Sequence, residues 1–352
     1  MKNESSMKKN MMRRIGAAVL ILALAASSAV GLSGCGKKTG EETGKEDTPK
    51  QETLTLSAPI NVATLNGPTG IGMVKLMDMA DKYNITAFQS PTDITVKVIS
   101  GEVDIAAVPS NLAGVLFNKT DGQIKAISPI TLGVLYILGN DSDVKTVADL
   151  KGKTIVASGQ GGTPEYVLQK ILENAGLKLG TDVEVQWLAN HTEVNALLLK
   201  DPGTIAMIPE PFVSVAKASG GDKVSILLDM NKLWQDATNQ PLPMGVLVAR
   251  KEFVEQREND LRVFLGDYKN SVDFVNNNID EAAALVVEKG FIGKEPIAKA
   301  AIPNCNIVLY AGSSAEFTEG KSILDTFLKT LFEMDPKSIG GKVPGDDLYY
   351  LS

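Results

Sequence analysis

Two turns rich in glycine and threonine carry the clearest chemistry in the chain. Over Thr154–Asn174, TIVASGQGGTPEYVLQKILEN, a β-branched run passes through Gly159, Gly161 and Gly162 into Thr163, Pro164 and an amphipathic stretch. That order reads as strand, tight loop and helix, with Thr163 as the N-cap and Pro164 at the first helical position. The first turn of a helix holds N–H groups without intrahelical partners at the positive end of its dipole, which seats an anion or a polar ligand edge. A cousin occurs earlier, INVATLNGPTGIGMVKLM over Ile60–Met77, with the turn Gly67-Pro68-Thr69-Gly70. One such turn is usually only a helix cap. Two of them, one early and one mid-chain, point to two lobes that each offer a helix N-terminus to a shared ligand.

Other chemistry is missing. His191 is the only histidine, so a two-histidine metal site is ruled out, and neither CxxC nor HExxH occurs. A Ser-His-Asp triad would have to use His191, and no serine sits in a nucleophile-elbow sequence. The loop from Gly159 fails the dinucleotide fingerprint because Pro164 stands where the third glycine belongs, and no P-loop pattern is present. These residues predict binding without conversion, no cofactor and no metal. Beyond residue 34 the arginines are Arg250, Arg257 and Arg262, none in a glycine-rich turn. A bidentate guanidinium clamp on a carboxylate or phosphate is therefore not expected.

The elements that must position these turns follow a β-α-β-α-β-α order. Strands are expected at Ile60–Leu65, Ile85–Phe88 and Val103–Val108. Helices are expected at Ile71–Tyr83, with an Ile71/Val74/Met77 stripe, at Ile94–Ser100 opened by Ser90-Pro91-Thr92-Asp93 and stopped by Gly101, and from Leu112. A second copy runs through strand Thr154–Ala157, helix Glu165–Asn174, strand Val183–Leu188, helix Glu193–Lys200, strand Thr204–Ile208 and a helix from Phe212. At a constant offset of one hundred residues, Ile105-Ala106 meets Ile205-Ala206, and Val108-Pro109 meets Ile208-Pro209. The same α/β plan is written twice, with mainly parallel sheets. Two extended crossings, Ile130–Leu138 and Gly245–Ala249, bracket the second copy, with a charged turn at Asp141–Lys145. The remainder reads as a helical return packed on the first lobe. Leu261, Phe264, Leu265, Tyr268, Val272 and Val275 share one face, Asp280 caps Glu281–Lys289, Asn306–Tyr310 forms a strand, and a helix runs from Ser314 to before Pro336. Cys305 is expected as a small buried hydrophobe.

In open parallel sheets ligands sit beyond the carboxyl ends of the strands. That rule selects the loops Asn66–Gly70, Gln89–Thr92, Pro109–Asn111, Gln160–Thr163, Asn190–Thr192 and Pro209–Phe212. The candidate ligand-binding residues are Asn66, Gly67, Thr69, Gln89, Ser110, Asn111, Gly162, Thr163, His191 and Glu210, with Trp187 and Tyr166 near enough to stack.

The amino end reads as an address. Lys8, Lys9, Arg13 and Arg14 precede the apolar run Ile15–Ala26, which leads to Leu32-Ser33-Gly34-Cys35. Gly36–Thr53 has no aliphatic or aromatic side chain and reads as a flexible tether. The whole chain has a formal charge of −7; without residues 1–34 it has 30 basic against 41 acidic side chains, or −11. So acidic a surface argues against nucleic acid and against anionic lipid as partners.

Several of these segments resemble one family: Gly67-Pro68-Thr69, Gly101-Glu102-Val103-Asp104-Ile105-Ala106, Asp149-Leu150-Lys151-Gly152-Lys153, Gly162-Thr163-Pro164 and Pro209-Glu210-Pro211-Phe212. They resemble the ABC-transporter substrate-binding proteins for nitrate, taurine, alkanesulfonates and thiamine-pyrimidine precursors, in order and pattern from about Leu54 to Tyr350. Leu32-Ser33-Gly34-Cys35 resembles the bacterial lipobox, which implies lipidation at Cys35. The resemblance implies a type II periplasmic-binding fold with two α/β lobes (54–138 with 245–352, and 139–244), a two-strand hinge at Leu135–Gly139 and Gly245–Ala249, and a ligand between the lobes. It further implies a monomeric, extracytoplasmic lipoprotein, signal peptide 1–34 and tether 35–53, that serves an ABC permease and ATPase. The ligand would be a sulfonate- or taurine-like organic anion or a thiamine-type pyrimidine. Enzymes of pyrimidine and menaquinone pathways share this fold, although the cysteine-rich iron motif of the former is absent. A surface lipoprotein that senses ligand without transport is the other alternative.

Overall fold

The computed structural model describes residues 55–140 and 143–351; the expected signal peptide, Cys35, the tether and part of the turn at Asp141–Lys145 lie outside the described residues. The first lobe opens with β1 (Ile60–Leu65), α1 (Pro68–Ile71), β2 (Tyr83–Phe88), α2 (Pro91–Ile99), β3 (Ile105–Pro109), α3 (Ser110–Lys119) and β4 (Ile124–Thr131). The chain then crosses to β5 (Leu135–Gly139), β6 (Thr154–Ser158), α4 (Thr163–Asn174), β7 (Glu184–Leu188), α5 (His191–Lys200), β8 (Ile205–Pro209), α6 (Phe212–Gly220), β9 (Ser225–Asp229) and α7 (Met230–Thr238). It returns through β10 (Gly245–Arg250) to α8 (Lys251–Gln256), α9 (Glu258–Asn277), α10 (Ile279–Glu288), α11 (Glu295–Ala301) and α12 (Ser314–Met334).

The strand orders are β2-β1-β3-β10-β4 and β7-β6-β8-β5-β9. The two sheets are the same design: β1 lies between β2 and β3 in parallel pairing, as β6 lies between β7 and β8. The offset of one hundred holds in space, because β3 and β8 occupy the third position of their sheets. In each sheet the fourth strand is antiparallel and is the one the chain enters by, β5 in the second and β10 in the first. The expected single run over Ile130–Leu138 is thus two strands of different sheets. The crossings are short segments ahead of β5 and β10, and the proposed hinge strands themselves are interior members of the sheets.

The core explains why the return segment does more than cover the first lobe. One apolar cluster runs from Ala63, Ala106 and Val248 of the first sheet, through Leu324, Phe327 and Leu328 of α12, to Ile155, Ala157 and Met207 of the second. On the other face of the first sheet, Ile60, Val62, Ile105 and Leu247 pack against Phe264 and Tyr268 of α9. Val156, Ala206 and Ile208 of the second sheet meet Val194 and Leu198 of α5. The predicted face of α9 is buried throughout, and Cys305 is a buried free thiol. The return helices were expected against the first lobe alone; α12 also meets α4, and α11 meets α6.

Local expectations fail where tertiary packing decides. Ile71–Tyr83 is not one helix: α1 lasts four residues, a 3-10 turn follows at Leu76–Asp78, and Tyr83 already belongs to β2. Gly70 lies within α1 at a point where a side chain would collide with the Phe291 ring. α10 begins at Ile279 after Asn278, and Asp280 binds Lys299 in place of capping. Asn306–Tyr310 forms only an isolated bridge from Ile307 to Thr131.

Trp234 of α7 is 1% exposed and lies 5.6 Å, centroid to centroid, from Phe327 of α12. Trp234→Ala should cost about 3–5 kcal/mol in a urea titration, as expected for emptying a buried aromatic site, and Trp234→Phe should restore most of it. A loss below about 1 kcal/mol would show that this packing contributes little to stability.

Candidate functional site

β1 delivers the first turn. After Leu65 the chain passes exposed Asn66 to Gly67, whose φ of +144° suits glycine. Thr69 is buried, donates to the Leu65 carbonyl at 3.3 Å and meets Thr64 Oγ1 at 3.4 Å. Gly245, the first residue of β10, is packed beneath it: a Cβ there would come within 2.7 Å of Thr69 Cγ2 and 3.3 Å of Thr131. Beside it, the Ser110 N–H that opens α3 donates to the Met244 carbonyl at 3.3 Å.

The second turn meets this group from the other lobe. Thr163 was expected as the N-cap of α4, but Gly162 holds that place and Thr163 is the first helical residue. Its hydroxyl is thereby free to donate to Asn111 Oδ1 at 3.2 Å, with both residues at most 2% exposed. Asn111 Nδ2 donates to the Ser338 carbonyl at 3.2 Å, so one amide joins α3, α4 and the turn after α12. Tyr166, considered as a stacking ring, is buried, and its hydroxyl donates to Asp335 at 3.4 Å. Trp187 is half-buried and packs on the core.

The remaining candidates occupy the second lobe. Ser158, at the end of β6, lies 2.6 Å from His191 Nδ1, and Phe212 stands 5.4 Å from the imidazole ring. Burial pushes the His191 pKa down to about 4, so the ring is neutral near pH 7 and shares one hydrogen bond with the Ser158 hydroxyl through Nδ1. A base with so low a pKa is poorly matched to activating a serine near pH 7. Glu210, a candidate ligand contact, is 3% exposed. Both carboxylate oxygens accept from Ser214, the N–H at 3.1 Å and the hydroxyl at 3.0 Å, which secures the start of α6. Burial pushes its pKa up to about 7, against the Ser214 hydrogen bonds and Lys217.

Ser110, Asn111 and Thr163 meet, with Thr69 reaching them across Gly245. Glu210 is tied through its N–H to the Val134 carbonyl on the first crossing. Asn66 and Gln89 are exposed at the rim and are not joined to this group by a hydrogen bond among the described residues. Sequence reasoning missed Ser158 and Thr131, the first directly before Gly159 and the second inside the crossing run. Arg250 and Arg257 lie at the opposite end of the first sheet, bound to Asp104 at 2.8 Å and Asp260 at 2.6 Å. Among the described residues no group of three His, Cys, Asp or Glu side chains could hold a metal ion, and no helix is long and apolar enough to cross a membrane.

A family model described as "ABC transporter, phosphonate, periplasmic substrate-binding protein" matches residues 81–301. Among solved structures, an ABC transporter protein from Parabacteroides distasonis is similar at a TM-score of 0.69 and 22% identity, covering 83% of this chain and 99% of that one. The periplasmic aliphatic sulphonate binding protein SsuA from Escherichia coli gives 0.63 and 19%, over 81% and 96%. The periplasmic nitrate-binding protein NrtA from Synechocystis PCC 6803 gives 0.57 and 12%, over 83% and 93%. These likenesses establish the two-lobe α/β fold. No curated protein sequence matches the chain.

Glu210 and His191 pull stability in opposite directions with pH. Between about 4.5 and about 7 folded Glu210 holds a proton that the unfolded chain has released, so its contribution to stability falls as pH rises through that window. Between about 4 and 6.5 folded His191 lacks a proton that the unfolded chain binds, so its contribution rises with pH. Thermal melting of Glu210→Gln should therefore gain on the wild type from pH 5 to 7.5, by on the order of 2–3 kcal/mol at most. His191→Asn should gain on the wild type as pH falls from 6.5 to 4. Melting curves that keep a constant separation from wild type over these ranges would contradict the burial argument.

Proposed function

The chain belongs to the periplasmic substrate-binding proteins of ABC transporters, and from that premise we propose that it captures a small organic anion between its lobes for an ABC permease and ATPase. The observation that carries the ligand class is the junction of Asn111 and Thr163. There two helix N-termini from different lobes converge, each at the positive end of a helix dipole. Their donors are N–H and hydroxyl groups, which suit the acceptor oxygens of a sulfonate. Relatives in fold are described as binding aliphatic sulphonate and nitrate, and the family description names phosphonate. The lobes of this reading are 54–138 with 245–352, and 139–244, with the crossings as hinge and Cys35 as the lipid attachment. The protein binds as a monomer and releases its solute chemically unchanged.

A second ligand chemistry has its own observation. Glu210 is a buried carboxyl group beside the first crossing, able to accept from a ring amine, which favours a thiamine-type pyrimidine.

A thermal-shift screen with taurine, methanesulfonate, methylphosphonate and an aminopyrimidine separates these. A ligand at one hundred times its dissociation constant should stabilise the fold by about 2.7 kcal/mol. Thr163→Ala should weaken binding by about 0.5–1.5 kcal/mol, and more for a charged ligand. Glu210→Gln should weaken a pyrimidine but spare an anion, and should abolish any loss of anion affinity above pH 7. If Thr69→Ala, Thr163→Ala and Glu210→Gln all left affinity unchanged, the cleft assignment would be wrong. Turnover of the ligand by purified protein would overturn the binding-only reading.

A further inference from the structure

The first sheet buries two hydroxyl groups that its own fold does not use. Ser110 is 0% and Thr131 2% exposed, and neither hydroxyl oxygen has a hydrogen-bond partner among the described residues. Leaving a buried hydroxyl unpaired is unfavourable, so each needs a partner or a compensating role. Both stand at the carboxyl end of the first sheet, where the fold rule places a ligand. Gly245 pairs with Pro109 on one side and with Thr131 on the other, so the two hydroxyl-bearing strand ends lie two strand spacings apart, about 10 Å. Thr69 closes the group from α1, since a side chain on Gly245 would strike Thr69 and crowd Thr131. Two threonine side chains thus crowd the glycine at the mouth of the sheet, Ser110 follows the neighbouring strand end, and the Ser110 and Thr131 hydroxyls are unsatisfied.

We propose that Thr131 is a ligand contact, and that with Ser110 it donates to the acceptor oxygens of the bound solute. This rests on the reading that the solute sits between the lobes, and adds a residue outside the six helix-entry loops. Thr131 ends β4, and the first crossing starts immediately after it. Its carbonyl also accepts the Met244 N–H at 2.8 Å, and Met244 ends the second crossing. A solute held by the Thr131 hydroxyl therefore touches the residue at which both connections between the lobes meet. The class that fits has an oxygen-rich head and is small enough to bridge two points about 10 Å apart.

The test compares Thr131→Val, which keeps the shape and removes the hydroxyl, with Thr131→Ser and Ser110→Ala. Without ligand, Thr131→Val should melt about 2–4 °C higher, because it removes an unpaired buried hydroxyl. By calorimetry its affinity for methanesulfonate or taurine should fall about 3- to 10-fold, while Thr131→Ser stays close to the wild type. A melting temperature lowered by several degrees, or an unchanged affinity for a probe that the wild type binds, would overturn the proposal. If the wild type binds neither probe, the organic-anion reading fails, and the melting comparison alone decides: a rise supports the role of Thr131 and a fall overturns it.

Discussion

The fold turns on one buried hydrogen bond between lobes, from Thr163 to Asn111. In a low-dielectric interior neither group can be left without a partner at small cost. Asn111 is further fixed by Ser338, which anchors the turn after α12. The three elements that meet there are the N-termini of α3 and α4 and the end of the helix that links the two lobes. One amide side chain thus holds α3, α4 and the turn after α12 together.

The duplicated sheet design makes such a junction possible. Because each sheet receives its antiparallel fourth strand from the incoming chain, the carboxyl ends of the parallel strands in the two lobes are held toward the same crossings. The second crossing is bonded to the end of β4, where the first crossing starts, by the Met244 N–H and the Thr131 carbonyl. The continuous core through Trp234, Phe327 and Leu324 adds a constraint on motion: relative movement of the lobes must carry α12 with one of them or slide it across α4 and α7.

Much of this was legible from residue order. Ser90 caps α2 through the Thr92 N–H, as the Ser-Pro-Thr-Asp signal requires. The pairing of Ile105-Ala106 with Ile205-Ala206 identified equivalent strands, because two lobes of one design need the same short apolar run at the same place. What failed was set by distant partners. The Ile71/Val74/Met77 stripe has helical period, yet α1 ends after one turn and a 3-10 turn follows at Leu76–Asp78. Thr163 fits an N-cap locally, and only Asn111, 52 residues away in sequence, gives its hydroxyl a different use. Thr131 and Ser158 were invisible for another reason: inside apolar runs, a single hydroxyl looks like an ordinary strand residue.

The proposed closure of the lobes over a polar seat at Asn111 and Thr163 can be read out as a distance. The most direct measurement is the distance between spin labels on Val96→Cys of α2 and Leu199→Cys of α5, exposed positions on equivalent helices of the two lobes. With a solute that stabilises the protein, the distance distribution should contract to one narrow population. Thr163→Val, which removes the donor at the junction, should leave it broader and longer at the same occupancy. An identical distribution with and without solute, unmoved by Thr163→Val, would contradict the account.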